Sequence, residues 1–437
     1  MPTVVSLFSG CGGLDLGFRE LGYEILYAAD NDPSAVAVYR RNIGNEVHQR
    51  NVLEEDFHSD IAAIGSADVI LGGFPCQGFS KAGPKNKSDV RNSLYLEMRR
   101  AVQTLKPKIF VAENVDGLSQ NFGGSVLKEI VSDFEEIGYR VEYRIIDAVA
   151  YGVPQHRRRI IFIGIHEGTL DFSWPVATHH APKRNGESSI DGHSRQLWEP
   201  VDQAWQLPER TMRDAIDDLP ELGFFPDHLV TNNWPGKYLH IFKAIKQNQK
   251  LCNVRFSPTS VYTWQIPEVF GETTVTQKKI LETIGRNRRK KEYGSIPNGN
   301  PLPIEEIARL MGEEVNPQDI EYLLATGYLK KVDVRIDLKG AMFCSGIFKR
   351  PAWDKPSPTI LTSFHNPRYF LHPEKNRPLS LRECARLQGF PDSFNFVGDG
   401  VTIEDGYRLV GNAVPPLVSR AFAQAVLKSL TKKNKQI

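Results

Sequence analysis

The chain has 437 residues, 41% of them apolar and 24% charged, so it is long enough for two or three globular domains with separate cores. Its net charge of +2 is too close to neutrality to indicate a nucleic-acid ligand by itself. Five scattered cysteines, no apolar run of about 18 residues and no secretory leader argue against a disulfide scaffold, a membrane-spanning chain and a secreted one. We therefore expect a cytoplasmic or nucleoid-associated protein with no membrane contact.

The first thirty residues follow the order of a nucleotide-binding unit. A β-branched run over 3–8 predicts a strand, the stretch SGCGG at 9–13 predicts a tight turn, and the periodicity of 14–21 predicts a helix. A second strand over 24–30 ends on Asp30, whose carboxylate can accept hydrogen bonds from ribose hydroxyls. The spacing is G-x-G-G rather than G-x-G-x-x-G, so a dinucleotide, another adenosine cofactor and simple packing of the turn remain open.

A cysteine follows the next predicted strand. The apolar run DVIL at 68–71 is typical of a buried parallel strand, and GGFPCQG at 72–78 breaks it and places Cys76 just past its carboxyl end. Open α/β sheets carry their chemistry at that end. The flanking proline and glycines favour a reactive site, whereas a lone cysteine elsewhere is usually a small buried apolar residue.

Two further strand ends carry charged side chains. The predicted strand over 108–115 ends near Glu113, a carboxylate at the same sheet edge as Cys76, although a helix cap or a solvated acid is the ordinary explanation. Arg157, Arg158 and Arg159 precede the buried strand over 160–165. Rigid backbone there suits phosphate contacts, with a solvated turn as the alternative.

The middle of the chain has a different composition. From about 178 to 356 the strand–helix alternation stops, and within it 271–339 predicts three helices followed by a hairpin. That order is expected for a winged helix-turn-helix that binds DNA, although any small helical insertion could produce it. The basic run over 286–291 is either a phosphate contact or a solvated face. Regular structure returns with a serine-capped helix from about 379 and a last helix that reaches about 430.

In this order, six stretches resemble motifs of the DNA (cytosine-5)-methyltransferases. They are FSGCGGLDLGF at 8–18, FPCQGFS at 74–80, ENV at 113–115, QHRRR at 155–159, RECARLQGFPD at 382–392 and GNAVPP at 411–416. The resemblance covers about 1–175 and 357–430. The middle is where that family carries its variable target recognition region.

The resemblance implies an α/β fold with a Rossmann-like, S-adenosylmethionine-dependent methyltransferase sheet and a separate target recognition domain. The catalytic domain is expected over 1–177, the target recognition domain over 178–356 with a winged subdomain at 271–339, and a return segment over 357–437 that completes the catalytic domain. S-adenosylmethionine is the implied methyl donor, and no metal is expected. The implied partners are double-stranded DNA and a cognate restriction endonuclease of a bacterial restriction-modification system, with the chain acting as a monomer.

The resemblance also implies roles for individual residues. Catalysis is expected from Cys76 as nucleophile, Glu113 as proton holder at N3, and Arg157 and Arg159 as contacts to the base and phosphate. Cofactor contacts are expected from Phe8, Gly10, Gly12, Gly13, Leu14, Asp30, Asn31, Pro75, Leu94, Asn412 and Ala413. DNA contacts are expected from Gln77, Ser80, Arg157, Arg288 and Arg289. Asn31 and Asn51 depart from the family, which often has a bulky apolar residue and an aspartate at these positions.

Three alternatives stay open at this point. An RNA cytosine-5 methyltransferase would share the catalytic core, but its middle region is shorter than the roughly 180 residues found here. A non-catalytic DNA-binding relative would keep the fold but would have no reason to retain Cys76, Glu113 and both arginines. A nicotinamide-dependent oxidoreductase is supported by the glycine turn alone.

Overall fold

Two compact units make up the protein in the computed structural model. The structure describes residues 1–75, 94–119, 124–168, 170–180, 207–230, 234–252, 256–296, 299–339 and 347–432. Unit 1 takes in the described residues of 1–229, 354–363 and 380–437, and unit 2 takes in those of 230–353 and 364–379.

Strands and helices alternate through the first part of unit 1. The strands are β1 (Thr3–Leu7), β2 (Glu24–Asp30), β3 (Val47–Gln49), β4 (Val69–Gly72), β5 (Ile109–Val115), β6 (Tyr139–Asp147) and β7 (Arg158–His166). The helices are α1 (Gly13–Glu20), α2 (Pro33–Asn42), α3 (Glu55–Ile64), α4 (Tyr95–Leu105), α5 (Ser125–Glu135) and α6 (Met212–Ile216). Local sequence explains their starts: α2, for example, has Pro33 in its first turn and the Asp32 carboxylate accepting from the Ser34 amide.

These strands form a single sheet within the described part of the chain, in the order β3-β2-β1-β4-β5-β7-β6. The first five are parallel, and β7 runs antiparallel to both β5 and β6. Because β7 is reversed, its first residues lie at the edge where β5 ends, with Arg159 paired to Val115. This reversal brings the arginine-rich stretch to the carboxyl ends of the parallel strands.

Unit 2 contains shorter elements. They are α7 (Lys237–Ala244), β8 (Gln249–Leu251), β9 (Ser260–Val261), α8 (Pro267–Phe270), α9 (Val275–Asn287), α10 (Ile304–Met311), α11 (Pro317–Ala325), β10 (Leu329–Val332), β11 (Arg335–Leu338) and β12 (Ile347–Arg350). The three helices and the antiparallel hairpin predicted for 271–339 are present as α9, α10, α11 and β10–β11.

The last helices return to unit 1: α12 (Leu381–Gln388), α13 (Ile403–Asn412) and α14 (Pro416–Thr431). Helix α14 packs along α1, where a Cβ added at Gly17 would lie only 2.3 Å from the Arg420 amide nitrogen. Helix α12 starts with a capping box between Ser380 and Glu383.

Unit 1 extends further than the boundary expected at 177 and 178. Residues 207–229 belong to it because their side chains bond to the start of α12: Asp227 pairs with Arg382 at 2.9 Å, and His228 bonds to Ser380 at 2.7 Å. Across the described helices, none combines the length and apolar composition that a membrane span requires.

Candidate active site

The turn after β1 presents an open side at the sheet edge. Phe8 and Gly10 both have left-handed backbone, with φ of 54° and 56°. A Cβ added at Gly13 would lie 2.4 Å from the Val414 carbonyl oxygen, whereas one added at Gly10 would meet no described atom within 4 Å. Gly13 is therefore required for close packing of the C-terminal segment, while Gly10 leaves space for a ligand.

Asp30 is fixed beside this turn at the end of β2. Its carboxylate accepts hydrogen bonds from the Gly10 amide at 2.8 Å and the Asp32 amide at 2.9 Å. Burial raises the pKa of the carboxyl, and these two hydrogen bonds partly offset that effect. Each carboxylate oxygen has a second lone pair, so Asp30 can still accept hydrogen bonds from a ligand.

The C-terminal segment reaches the same turn. A Cβ added at Gly13 would lie 3.3 Å from the Ala413 Cβ, and the Ala413 carbonyl accepts from Gln388 Nε2 at 2.6 Å. Arg408 of α13 pairs with Asp32, the residue that caps α2. The structure thus brings Ala413 to the predicted cofactor residues Gly10, Gly13 and Asp30, although they lie about 400 residues apart in sequence.

The remaining predicted cofactor residues lie around this edge in different environments. Phe8 and Leu94 are partly buried and pack against one hydrophobic core, and Pro75 is also partly buried. Leu14 is buried in α1, while Asn31 and Asn412 are exposed to solvent. Asn51 is partly buried, and its side chain bonds locally to the Leu53 amide at 3.2 Å.

Glu113 and Arg159 meet where β5 ends and β7 begins. The Arg159 Nε lies 2.7 Å from Glu113 Oε1, and both side chains are largely buried. Oε1 accepts no hydrogen bond from the described residues, so the contact is described as an ion pair. These two predicted catalytic residues are therefore neighbours.

Asn114 ties this pair to the end of β4. Its Nδ2 donates to the Phe74 carbonyl at 2.9 Å, and its Oδ1 accepts from the Val115 amide at 2.8 Å. Asn114 belongs to the ENV motif but had no predicted role. The available signal was a second polar side chain, directly after Glu113, in a strand whose other residues are apolar; Asn114 is 3% exposed.

Arg157 does not share the environment of Arg159, and its burial corrects the predicted contact to base or phosphate. The side chain is 1% exposed, and its guanidinium donates to the carbonyls of Ile360 at 3.3 Å and Gly411 at 2.9 Å. Burial, followed by repulsion from Arg159, lowers the pKa of Arg157 well below its ordinary value. The guanidinium enclosed in this way holds the return segment through Ile360 and Gly411.

Gln155, another residue without an assigned role, supports the same segment. It is fully buried, its Oε1 accepts from the Ile360 amide at 2.8 Å, and its Nε2 donates to Gln388. Gln155 and Arg157 of the QHRRR motif therefore hold the return segment in place. Arg159 is the residue of this motif that contacts Glu113.

The predicted DNA contacts have separate outcomes. Cys76, Gln77 and Ser80 lie outside the described residues. Arg288 is 4% exposed and forms a bidentate pair with Asp337 at 2.8 Å for both contacts, so the predicted DNA contact is replaced by a structural role. Arg289 is exposed, as a phosphate contact would require.

Within the described ranges, no group of His, Cys, Asp and Glu side chains could hold a metal ion.

Comparisons with known proteins agree with this arrangement. The family model of the C-5 cytosine-specific DNA methylases matches residues 2–428. The chain is 32% identical to the Type II methyltransferase M.AgeI of Thalassovita gelatinovora, over 97% of this chain and 98% of that one. It is 30% identical to the Type II methyltransferase M.HgiCI of Herpetosiphon aurantiacus, over 98% of both chains.

Solved structures support the fold alone. A prophage-encoded protein of E. coli superposes with a TM-score of 0.54 at 24% identity, covering 99% of this chain and all of the other. The methyltransferase EhMeth of Entamoeba histolytica gives a TM-score of 0.50 at 16% identity, covering 98% of each chain. The sheet is thus that of a Rossmann-like methyltransferase. The chain belongs to the C-5 cytosine-specific DNA methylase family and is a DNA (cytosine-5)-methyltransferase.

Proposed function

We propose that the protein transfers the methyl group of S-adenosylmethionine to C5 of a cytosine turned out of duplex DNA, through a temporary bond between Cys76 and C6. The observation that carries this proposal is the contact between Glu113 and Arg159 at 2.7 Å, together with the hydrogen bond from the adjacent Asn114 to the Phe74 carbonyl. Cys76 follows Phe74 by two residues. Nucleophile and carboxylate therefore start from the neighbouring strands β4 and β5.

The residues around the glycine turn fit S-adenosylmethionine. The open side of Gly10 leaves room for the ligand, and the spare lone pairs of Asp30 suit ribose hydroxyls. Phe8, Leu14 and Leu94 would add apolar contacts, with Ala413 closing the pocket beside Gly13. When bound, S-adenosylmethionine supplies an electrophilic methyl group on a positively charged sulfur.

The proposed chemistry assigns separate tasks to Cys76 and Glu113. Cytosine C5 is a poor nucleophile, so the Cys76 thiolate adds to C6 and moves electron density onto C5 and toward N3. Glu113 holds or donates a proton at N3, which stabilises that charge. C5 then accepts the methyl group, and S-adenosylhomocysteine is the leaving group. A water molecule takes the C5 proton, the electron pair of that C–H bond restores the C5–C6 double bond and expels the Cys76 thiolate, and the N3 proton returns to Glu113.

Arg159 has two uses in this scheme. Its guanidinium orients the Glu113 carboxyl, and its fixed positive charge favours both a nearby phosphate and a thiolate. The base must leave the stack before any of this occurs, which costs a few kcal/mol that phosphate contacts must offset.

We infer that the biological role is modification of DNA alongside a cognate restriction endonuclease, with the chain acting as a monomer. The similarity to Type II methyltransferases along nearly the whole chain supports that role. Bisulfite sequencing of DNA from cells that express the protein would reveal the modified cytosines and their surrounding sequence.

The substrate class and the nucleophile are tested together. We expect labelled methyl groups to pass from S-adenosylmethionine to PCR-amplified duplex DNA and not to tRNA; labelling of tRNA alone would overturn the proposal. Cys76→Ala should abolish transfer while DNA binding persists. The matched control is Cys252→Ala, which alters a buried cysteine of unit 2 and should retain turnover. Turnover by the Cys76 variant would refute the covalent mechanism.

A further inference from the structure

The winged subdomain, residues 271–339, has a specific order of elements. Between α9 and α10, Leu302 pairs with Ile336 of β11 through two backbone hydrogen bonds of 2.8 Å. The order is therefore helix, single β-bridge, two helices and hairpin around a shared apolar core that includes Ile284, Ile307 and Leu323. In a helix-turn-helix, the second helix of the pair is the one expected to enter the major groove. Here that helix is α11.

The charge of the helix pair opposes such a role for α11. Residues 304–325, which contain α10 and α11, carry six acidic side chains and a single basic one, Arg309. Arg309 is already paired with Glu306 at 2.6 Å. Duplex DNA carries one phosphate charge for about every 1.7 Å of its axis, so an acidic helix is repelled from its grooves.

The polar side chains of α11 are also engaged within the subdomain. Asp319 accepts from Gln277 at 2.8 Å, and the Tyr322 hydroxyl donates to the Glu272 carbonyl at 2.7 Å. The helix then offers Gln318 and Glu321 as its exposed polar groups along 317–325. One amide and one carboxylate provide little capacity to read base edges and none to bind phosphates.

The hairpin has the opposite character. Lys330, Lys331 and Arg335 are exposed on β10 and β11, and Val334 at the turn is 82% exposed. Asp337 lies 3.5 Å from Lys330 but is already neutralised by Arg288 at 2.8 Å. The Lys330 charge is therefore not cancelled. The turn itself holds exposed Asp333 beside Val334, so the exposed charged side chains of the hairpin are three basic and one acidic, and their net positive charge suits DNA phosphates.

A second basic segment, residues 289–291, is anchored beside the hairpin. It directly follows Arg288, whose guanidinium is held by Asp337 of β11 and whose carbonyl accepts from the Asn300 amide at 2.6 Å. Arg289, Lys290 and Lys291 are all exposed, and Lys290 lies 3.6 Å from the equally exposed Glu292. The buried Arg288–Asp337 pair, which keeps Arg288 from contacting DNA, thus fixes these three basic residues close to the hairpin.

We propose that the hairpin 329–338 and the basic segment 289–291 form a DNA-backbone contact of this protein, and that α11 stays out of the groove. This inference rests on duplex DNA being the substrate. The hairpin contributes phosphate contacts that are independent of sequence, so it positions the duplex and adds affinity without selecting bases.

Salt dependence of DNA binding tests the proposal. The triple variant Lys330→Gln/Lys331→Gln/Arg335→Gln should bind a PCR-amplified duplex more weakly, and its plot of log affinity against log salt should be less steep by about 0.9 for each phosphate that the hairpin ceases to neutralise. We expect the apparent KM for DNA to rise while kcat at saturating DNA and S-adenosylmethionine binding stay at parent values. A parent salt slope in the triple variant would overturn the inference.

The control variant adds a positive charge to α11. Glu321→Lys puts a positive side chain on the exposed face of α11, and we expect affinity and salt slope to stay at parent values. A steeper slope with tighter binding would place α11 against the phosphates and contradict the proposal. Methylation of duplex DNA by the parent distinguishes failure of this inference from failure of the proposed function. If the parent methylates duplex DNA and the triple variant binds it as the parent does, only the hairpin contact is wrong. If the parent does not methylate duplex DNA, both proposals fail.

Discussion

Two arginines that are two positions apart in sequence have unrelated environments in this protein. Arg159 lies in β7 and reaches Glu113, whereas Arg157 precedes the strand and is enclosed by the return segment. The motif predicted both side chains as ligand contacts because residue type and spacing do not report burial. Only the fold, which brings Ile360 and Gly411 over Arg157, separates a contact residue from a positioning residue.

Arg157→Lys should destabilise unit 1 although both side chains are basic. The planar guanidinium bonds to two carbonyls on different segments, and a lysine ammonium cannot reproduce that fork. Each acceptor left unsatisfied costs about 1–3 kcal/mol, so the midpoint of urea unfolding should fall. Cofactor binding should also weaken, because Gly411 precedes Asn412 and Ala413.

Arg140→Lys on the exposed surface of the same sheet is the control, and its unfolding midpoint should stay near that of the parent. If Arg157→Lys lowers kcat while the unfolding midpoint stays at the parent value, Arg157 contacts the substrate and its structural assignment is wrong.

Asp15, at the start of α1, makes stability depend on pH. Burial raises the pKa of its carboxyl from 3.8 to about 6, more than hydrogen bonds such as the one from Tyr39 at 3.0 Å can offset. Between about pH 4 and pH 6 the folded state therefore binds this proton more tightly than the unfolded state does. The contribution to stability is present at low pH and is lost as the pH rises to about 6, by roughly 3 kcal/mol.

Asp15→Asn keeps the shape and cannot ionise. We expect the variant to be more stable than the parent at about pH 7.5, with the difference shrinking as the pH approaches 4, as measured by urea unfolding at several pH values. Asp171→Asn, at an exposed position, should show no such trend. A stability difference that does not vary with pH would exclude ionisation of Asp15 as its cause.

At the scale of elements, the strands of the central sheet were predicted from sequence more accurately than the helices near the C-terminus. The strands at the site carry β-branched or apolar runs, and each lies where it was expected. Helix α13 was not predicted as a separate helix, because 407–416 was interpreted as the start of the last helix. The pattern Thr402-x-x-Asp405, which forms a capping box in the structure, was the available signal.

The contact between α1 and α14 explains why a glycine occurs within α1, where helix propensity favours alanine. Gly17 lies within α1, where alanine would ordinarily stabilise a helix by about 0.5–1 kcal/mol. Here an added Cβ would lie 2.3 Å from the Arg420 amide nitrogen of α14. Gly17→Ala should therefore force the helices apart and destabilise unit 1 by about 1–3 kcal/mol, measured by thermal or urea unfolding.

Gly285→Ala is the matched control for that substitution. Gly285 also lies within a helix, α9, and its added Cβ would lie 3.7 Å from Leu338 Cδ1, an ordinary van der Waals distance. We expect it to be neutral or slightly stabilising. Equal effects of the two substitutions would show that α1 and α14 can separate without cost.

At the scale of the whole molecule, unit 1 is assembled from separate stretches of sequence. Composition changes near 178, and the expected boundary was placed there; residues 207–229 nevertheless rejoin unit 1 through α12. Local composition carries no information about such a return, because the bond between Asp227 and Arg382 spans 155 positions. The same limitation applies to the site, where Ala413 approaches Gly13.

The Asp227–Arg382 pair should determine whether 207–229 stays with unit 1. Both side chains are almost fully buried, at 1% and 0% exposed, with contacts of 2.9 Å. Burial raises the pKa of Asp227 although Arg382 opposes the shift, so removal of the arginine leaves a costly buried carboxylate. Arg382→Met should cost about 3–5 kcal/mol, and amide hydrogen exchange should accelerate across 212–217 and 381–388 while β10 and β11 keep parent rates.

The double variant Asp227→Leu/Arg382→Met should recover part of that loss, because no charge remains buried without its partner. Recovery stays incomplete since Arg382 also donates to the Phe394 carbonyl at 3.1 Å, which neither replacement can satisfy. Arg420→Met removes a pair with Glu20 at 3.6 Å in which the arginine side chain is 60% exposed, and it should cost no more than about 1 kcal/mol. A similarly small effect of Arg382→Met would mean that residues 207–229 are held to unit 1 by other contacts.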